Sequence, residues 1–333
     1  MVITRTPFRI SFFGGGTDYP AWYKERGGAV LSATIDKYCY LNVRHLPPFF
    51  DYRYRVRYAR NENTKTHDEI EHPSARECLK FLNVEEGIEI QHTADLPAMS
   101  GLGSSSAFTV GLLHAFYALR GAPVSKLQLA KDAIHVEQER IKENVGSQDQ
   151  VAAAFGGCNV ITFQGEGDIV VAPVAMSPER VKELERHLLL FFTGFSRRAS
   201  DIAASWIQNT PKNAKELGRM QQMVRESAAV LEGKKDIREF GALLKEAWEL
   251  KRGISPEIAN VHIDEIYARG MKGGALGGKL LGAGGGGFIL FFVEPEKQVG
   301  VKKALADLLH VPFAFENRGS HTIFLRKSEE EGV

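Results

Sequence analysis

Residues 97–107, PAMSGLGSSSA, combine the residue types and spacing of a loop that holds phosphate. A Gly-Leu-Gly turn is followed by three serines and then by the apolar run FTVGLLHAFYAL. Gly101 and Gly103 let the backbone approach an anion closely, and the free N–H groups of a first helical turn point at it. The hydroxyls of Ser104, Ser105 and Ser106 can donate to phosphate or coordinate Mg²⁺. A glycine-serine turn that only caps a helix is the plain structural alternative.

Three further segments bear on the same chemistry. KLLGAGGGGF, Lys279–Phe288, holds a formal G-x-G-x-x-G at Gly282, Gly284 and Gly287. A dinucleotide fold needs a helix after that pattern, and here the strand-like FILFFV follows, so that reading fails. Gly273–Lys279 approaches a Walker loop, but Leu280 replaces the hydroxyl residue that would bind Mg²⁺. What remains is a glycine loop packed near the nucleotide loop or the substrate, or else a mobile turn. RISFFGGGTDY, Arg9–Tyr19, sets a base and an acid on either side of a glycine turn. Asp18 can bind hydroxyl groups and Arg9 can face phosphate; the alternative is a strand ending in a capped turn. GSQDQ, Gly146–Gln150, places Asp149 in a small polar turn, where a carboxylate can accept a proton from an alcohol or merely close the turn.

The elements that must position these residues read as strands first and helices later. Residues 29–35, 38–44, 52–58 and 86–92 are strand candidates, and helices are expected over 104–119 and 125–144, the second capped at Ser125. A hairpin is expected from 156–163 and 168–174, then a helix over 177–187 and a strand over 188–193. The second half reads as helices near 199–209, 212–233, 236–252, 256–270 and 296–309, a strand at 288–293 and closing strands at 313–317 and 321–326. Strands and helices mix without regular βαβ alternation, so the expected class is α+β with mostly antiparallel sheets. The boundary is placed near 180, dividing the chain into 1–180 and 181–333.

Composition narrows the partners. Apolar residues make up 44% and charged residues 25%, and the formal net charge is +1, so nothing global draws the chain to nucleic acid or a membrane surface. Cys39, Cys78 and Cys158 are odd in number and far apart, which fits reduced thiols in a cytoplasm. The start of the chain, interrupted by Arg5 and Arg9, does not read as a signal peptide. Arg53, Arg55 and Arg57 alternate with Tyr54, Val56 and Tyr58; one face of an exposed strand is a simpler account than nucleic-acid binding. His45, His67, His72 and His92 show no metal spacing.

The four segments, in this order, resemble the GHMP kinase superfamily of galactokinase, homoserine kinase, mevalonate kinase and phosphomevalonate kinase, over nearly the full length. RISFFGGGTD, the T-G-x-x-R of 193–197 and GGKLLGAGGGGF look most like the D-glycero-D-manno-heptose 7-phosphate kinases, with the fucokinase domain next. The resemblance implies an ATP- and Mg²⁺-dependent kinase. Its N-terminal domain would be like domain 2 of ribosomal protein S5 and its C-terminal domain ferredoxin-like. It makes Asp149 the catalytic base and Arg9 the arginine beside it, with Glu137 and Ser105 as Mg²⁺ ligands. Pro97, Ser100, Gly101, Leu102, Gly103, Ser104, Ser105 and Ser106 would form the ATP loop. Gly15, Gly16, Thr17 and Asp18, with Gly284 and Gly285 of the third motif, would face the substrate. Galactokinases carry Glu-His where this chain has Gly15 and Gly16, which argues against galactose and leaves room for a larger or phosphorylated sugar. A phosphorylated sugar needs cations at its far end, and Arg197 and Arg198 are the candidates.

The implied reaction is phosphorylation of the anomeric hydroxyl of the heptose 7-phosphate, feeding GDP-heptose. The alternatives are a fucokinase-like or other free-sugar kinase and a non-catalytic sensor on the same fold. The expected partner is a small-molecule sugar or sugar phosphate, with a homodimer left open and neither nucleic acid nor membrane involved.

Overall fold

The computed structural model describes residues 1–165, 167–194 and 212–326. The first sheet contains β1 (Val2–Phe13), β2 (Gly28–His45), β3 (Tyr54–Arg57), β4 (Asn61–Thr64), β5 (Ile88–Ala94), β6 (Cys158–Gln164) and β7 (Asp168–Pro173). The second contains β8 (Leu188–Phe192), β9 (Gly277–Leu280), β10 (Phe288–Phe292) and β11 (Leu309–His310). β12 (His321–Leu325) returns to the first sheet and pairs with β1. The helices are α1 (Pro20–Arg26), α2 (Pro73–Phe81), α3 (Ser104–Leu119), α4 (Lys126–His135), α5 (Gln148–Phe155), α6 (Pro178–His187), α7 (Ala214–Ala229), α8 (Arg238–Ile254), α9 (Val261–Lys272) and α10 (Gln298–Ala304).

The first sheet runs β12-β1-β2-β5-β3-β4, and the long β2 also pairs with β6, which carries β7. Every pairing is antiparallel except β3 with β5. The second sheet runs β11-β8-β10-β9, all antiparallel, with helices between β8 and β9 and again between β10 and β11. That is the order and connectivity of a split β-α-β, ferredoxin-like unit. The class is α+β, as the mixed sequence pattern implied.

α3 fixes the site because it lies flat on β1. It is buried nearly all round, and its mid-helix Gly111 leaves no room for a side chain: a Cβ there would meet the Thr6 hydroxyl at 2.7 Å. Thr4 seals the contact by donating to the Gly111 carbonyl at 3.0 Å. The sheet–helix register therefore sets where the serine-bearing N-terminus of α3 falls, beside the middle of β1.

The helix expected over 104–119 and the strand–turn–strand around 165–167 are where the pattern placed them. Several other expectations need correction. Residues 29–35 and 38–44 belong to one continuous strand, because β1 pairs with both halves of β2 while β6 pairs with the first and β5 with the second. The helix capped by Ser125 ends at Arg140 rather than at 144, its last turn, Val136–Arg140, widened to a π form. Residues 313–317 make only an isolated bridge, Ile35 with Phe315. β9 had no strand signal, because it opens with two glycines; α8 explains Gly277, whose Cβ would sit 2.0 Å from the Gly241 carbonyl oxygen, and β10 explains Gly278, whose Cβ would sit 2.6 Å from the Phe291 ring. The helix expected at 199–209 lies outside the described residues. Among the described residues, no helix is long and apolar enough to cross a membrane.

The two sheets share aromatic packing. The Phe240 ring of α8 stands edge-on to Phe12 and Phe13 of β1, at 5.2 and 5.1 Å, and lies 6.2 Å from Phe292 of β10. Phe240 is fully buried. Replacing it with alanine should cost about 3–5 kcal/mol, read as a drop in urea midpoint at constant slope. A loss under about 1 kcal/mol would mean that this ring does not join the sheets.

Candidate active site

Arg9 occupies the middle of β1, where a charge survives burial only if it is paired and hydrogen-bonded. All three of its side-chain nitrogens donate. Nε donates to Asp149 Oδ1 at 2.7 Å, one Nη to Asp149 Oδ2 at 2.8 Å, and the other to the Gly101 carbonyl at 2.8 Å. Its backbone N–H donates to the Leu102 carbonyl at 3.0 Å. One residue thus holds both the proposed base and the phosphate-type loop. Asp149 stands in the first turn of α5, not in an isolated turn, where the helix dipole favours a carboxylate. Its side chain is about a quarter exposed, against 6% for Arg9, so the carboxylate is the member of the pair that meets solvent.

Both residues line a cavity of about 440 Å³. Gly101, Gly103, Ser104, Ser105 and Ser106 line it too, as do Gly15, Gly16, Asp18 and Gly284. Gly103 is the N-cap of α3, left-handed at φ 75°, and no side chain caps the helix. The N–H groups of the first turn are therefore available to an anion, which is what a nucleotide phosphate needs. A Cβ on Gly103 would lie 3.4 Å from Asp149 Oδ2, so loop and carboxylate are in contact.

Asp18 is almost wholly buried. Its Oδ1 accepts from Gly16 N at 2.9 Å and its Oδ2 from Gln148 N at 3.4 Å. Burial, and then the charge of Asp149, raise its pKa. A Cβ on Gly146 would fall 1.9 Å from Asp18 Oδ2, which accounts for the glycine after the α4 segment. The glycine-rich loop after β9 closes the cavity by backbone contact. A Cβ on Gly282 would be 2.4 Å from Gly101 Cα, and one on Gly287 would be 2.2 Å from the Ser100 carbonyl oxygen. Thr193 fastens that loop, donating its hydroxyl to the Gly287 carbonyl at 2.9 Å and accepting from Gly287 N at 3.1 Å.

Glu137 is fully buried in the π turn. Ser106, not Ser105, reaches it, donating to Oε2 at 2.8 Å; Gln150 donates to the same oxygen at 2.5 Å. Ser105 is exposed on the cavity side. Burial pushes the Glu137 pKa up to about 7, against the lowering pull of Thr109, Ser106 and Gln150 beside it. Its Oε1 accepts no hydrogen bond among the described residues. A buried carboxylate with a spare oxygen beside serine hydroxyls is a hard-oxygen donor set, which fits Mg²⁺.

Other expected residues lie at the margin. Pro97 is exposed and outside the cavity lining; Leu102 is buried in the core; the Ser100 carbonyl accepts from Phe288 N at 3.2 Å. Thr17 gives its hydroxyl to the Gly14 and Ala29 carbonyls, so it shapes the turn rather than facing the cavity. Gly285 donates to the Ile258 carbonyl at 2.9 Å and is not part of the lining. Arg197 and Arg198 lie outside the described residues. The alternating arginines of β3 surround a carboxylate: Arg55 and Arg57 approach buried Glu89 at 3.5 and 3.7 Å, and Arg44 of β2 at 2.6 Å.

Two lining residues carry ammonium groups: Lys279, which opens the KLLGAGGGGF segment, and Lys251, which none of the four segments contains. Lys251 had a signal, since it lies on the apolar stripe Phe240, Leu244, Ala247, Lys251 and Ile254 of α8, where an ammonium group has no business unless it is used.

Residues 73–157 match the GHMP kinases N-terminal domain, and residues 224–310 match the GHMP kinases C-terminal domain. The chain is 32% identical over 313 residues to the D-glycero-alpha-D-manno-heptose 7-phosphate kinase of Campylobacter jejuni, spanning 91% of this chain and 92% of that one. The chain belongs to the GHMP kinases. Its fold is the two-domain GHMP kinase fold, and as a member it is an ATP-dependent kinase of a small molecule. The structure of a D-glycero-D-manno-heptose 1-phosphate kinase from Bacteroides thetaiotaomicron superposes with a TM-score of 0.81 at 26% identity, covering 98% of this chain and 100% of that one. An L-fucokinase/L-fucose-1-P guanylyltransferase of Bacteroides fragilis is 27% identical over 91% of this GHMP kinase, which spans 36% of that longer protein.

Lys279 reaches from β9 to the first sheet, donating to the Ser11 and Phe12 carbonyls at 3.1 and 2.7 Å. Burial, with Arg9 adding to it, lowers its pKa to about 7, from about 10.4 in an unfolded chain. Between those values the unfolded chain binds the proton that the folded one has lost, so this residue's contribution to stability rises with pH. The stability of wild type minus that of Lys279→Met should therefore climb by up to about 1.4 kcal/mol per pH unit above pH 7, measured by urea unfolding from pH 7 to 9. A flat difference would show that Lys279 keeps its proton throughout.

Proposed function

We propose that this kinase phosphorylates the anomeric hydroxyl of D-glycero-D-manno-heptose 7-phosphate, using ATP and Mg²⁺, to give the 1,7-bisphosphate in the cytoplasm. The observation that carries the reading is the Arg9–Asp149 pair, set where the uncapped N-terminus of α3 and buried Asp18 open on one cavity. Full-length similarity to a heptose 7-phosphate kinase supports the acceptor. So does the turn at Gly15 and Gly16, which brings no side chain into the acceptor end of the cavity.

The chemistry follows from the residues. Gly101, Gly103 and the N–H groups of Ser104, Ser105 and Ser106 would cradle the ATP phosphates. Asp18 would accept hydrogen bonds from the sugar hydroxyls. Asp149 would take the proton of the anomeric hydroxyl as its oxygen bonds to the γ-phosphorus and the bond to ADP breaks. Arg9 holds that carboxylate by two parallel bonds, so its direction is set before substrate arrives. Bound Mg²⁺, held through Glu137 with the hydroxyls of Ser105 or Ser106, would neutralise phosphate charge. Positioning and charge neutralisation supply most of the rate in such a transfer, so the base has a moderate part.

Two measurements check this. Asp149→Asn should lower kcat by about 10²–10⁴-fold while calorimetry finds ATP affinity within a few-fold of wild type; undiminished kcat would remove Asp149 from the base role. ADP release with a set of acceptors should show kcat/KM for the heptose 7-phosphate above that for fucose, galactose and mevalonate by at least about 10²-fold. A preference for fucose would establish a free-sugar kinase instead, and ATP binding without turnover on any acceptor would point to a sensor.

A further inference from the structure

Lys251 and Lys279 are each 4% exposed, and neither pairs with a carboxylate among the described residues. Buried ammonium groups without a counter-ion are costly, and folds rarely keep two of them side by side. Each has three donors when protonated, the form that a bound anion favours. Lys251 gives two to the Leu280 and Gly282 carbonyls, at 2.9 and 2.6 Å, and Lys279 gives two to Ser11 and Phe12. One N–H of each is left without a described protein partner, and both residues line the cavity that holds Arg9 and Asp149. Burial lowers the pKa of both lysines, and each is also lowered by a neighbouring cation: Lys251 by Lys279 and Arg9, Lys279 by Arg9. The three cations are therefore close enough to repel one another. Arg9 is already committed to Asp149 and Gly101. The phosphates of ATP have donors of their own at the start of α3. The spare N–H groups of the two lysines are therefore open to an anion other than the ATP phosphates.

We propose that Lys251 and Lys279 form a second anion subsite in this cavity, which takes the phosphate that the acceptor already carries. The proposal rests on the reading of the acceptor as a phosphorylated sugar. A dianionic phosphate supplies oxygens for both spare N–H groups, and charge-assisted bonds of this kind are strong in a water-poor site. The carbonyl bonds fix where the ammonium groups stand. Lys251 hangs on the glycine loop at Leu280 and Gly282, and Lys279 on the end of β1 that leads into the Gly15–Gly16 turn. The acceptor's phosphate would thereby be read by the same backbone segments that shape the acceptor turn and close over the phosphate loop.

The test compares wild type with Lys251→Met, Lys279→Met and the charge-conserving Lys251→Arg. Turnover is measured on heptose 7-phosphate and on unphosphorylated heptose. Each methionine variant should lose at least about 30-fold in kcat/KM on the phosphorylated acceptor, chiefly through KM, and less than about 3-fold on the free sugar. Lys251→Arg should recover most of the loss. Equal losses on both acceptors, or a matching loss of ATP affinity, would overturn the proposal. Calorimetric titration of inorganic phosphate, with a non-hydrolysable MgATP analogue filling the nucleotide site, is independent of turnover. Wild type should bind phosphate and the methionine variants should not; unchanged phosphate binding in a variant that still binds the analogue, or no binding in wild type, would overturn the subsite. If wild type instead prefers a free sugar, the functional reading fails by itself, and the phosphate titration still decides whether the two lysines hold an anion.

Discussion

A two-pronged ion pair between a strand and a helix start organises this molecule. Arg9 is locked in the middle of β1, and its guanidinium gives Nε and one Nη to Asp149 and the other Nη to Gly101. The carboxylate at the start of α5 and the loop at the start of α3 are consequently positioned by the same group. Buried charges of this kind are held only when every polar atom is answered. That requirement explains why the surrounding backbone is built so closely around the pair, with Leu102 receiving the Arg9 N–H and Gly103 leaving room for the guanidinium stem.

The second constraint is backbone-to-backbone approach. Gly101 and Gly282 face each other so closely that neither could carry a side chain, and Gly287 lies on Ser100 in the same way. The ferredoxin-like unit thus reaches the Ser100–Ser106 loop by backbone, through Leu281, Gly282, Gly287 and the Phe288 N–H, and Thr193 pins the far end of the contact. A four-glycine run would be entropically expensive in a free loop. Here the run is consumed in contacts with Ser100, Thr193 and Ile258.

Much of this is legible in the sequence alone. The segment Gly101–Leu119 announced itself because a left-handed glycine, a set of small hydroxyl residues and an apolar run are each required by a helix that opens on an anion. Arg9, Asp18 and Asp149 stand in local motifs, whereas Glu137 is picked out only by the resemblance to the GHMP kinases. The less legible parts depend on distant partners. β9 is a strand because it pairs with β10, and its glycines make room for α8 and the Phe291 ring, which no local propensity encodes. Asp149 was placed in a turn because eight residues of α5, Gln148–Phe155, give too short a period to read as a helix. Ser105 and Ser106 differ only in which way one helical step turns them, and that depends on how α3 seats on β1. Lys251 was visible as a charge on an apolar stripe, but its meaning emerged only with the carbonyls of Leu280 and Gly282 in place.

The central claim is that a phosphoryl group passes to the anomeric oxygen of a sugar that already carries a phosphate. Phosphorus NMR of the product formed from MgATP and D-glycero-D-manno-heptose 7-phosphate tests it most directly, because an anomeric phosphate and a phosphate on a primary or ring hydroxyl resonate and couple differently. The account requires a new anomeric phosphate signal appearing in step with ADP while the 7-phosphate signal persists. A product phosphorylated at any other oxygen, or a signal that appears only when the enzyme is given the 1-phosphate or an unphosphorylated sugar, would contradict it.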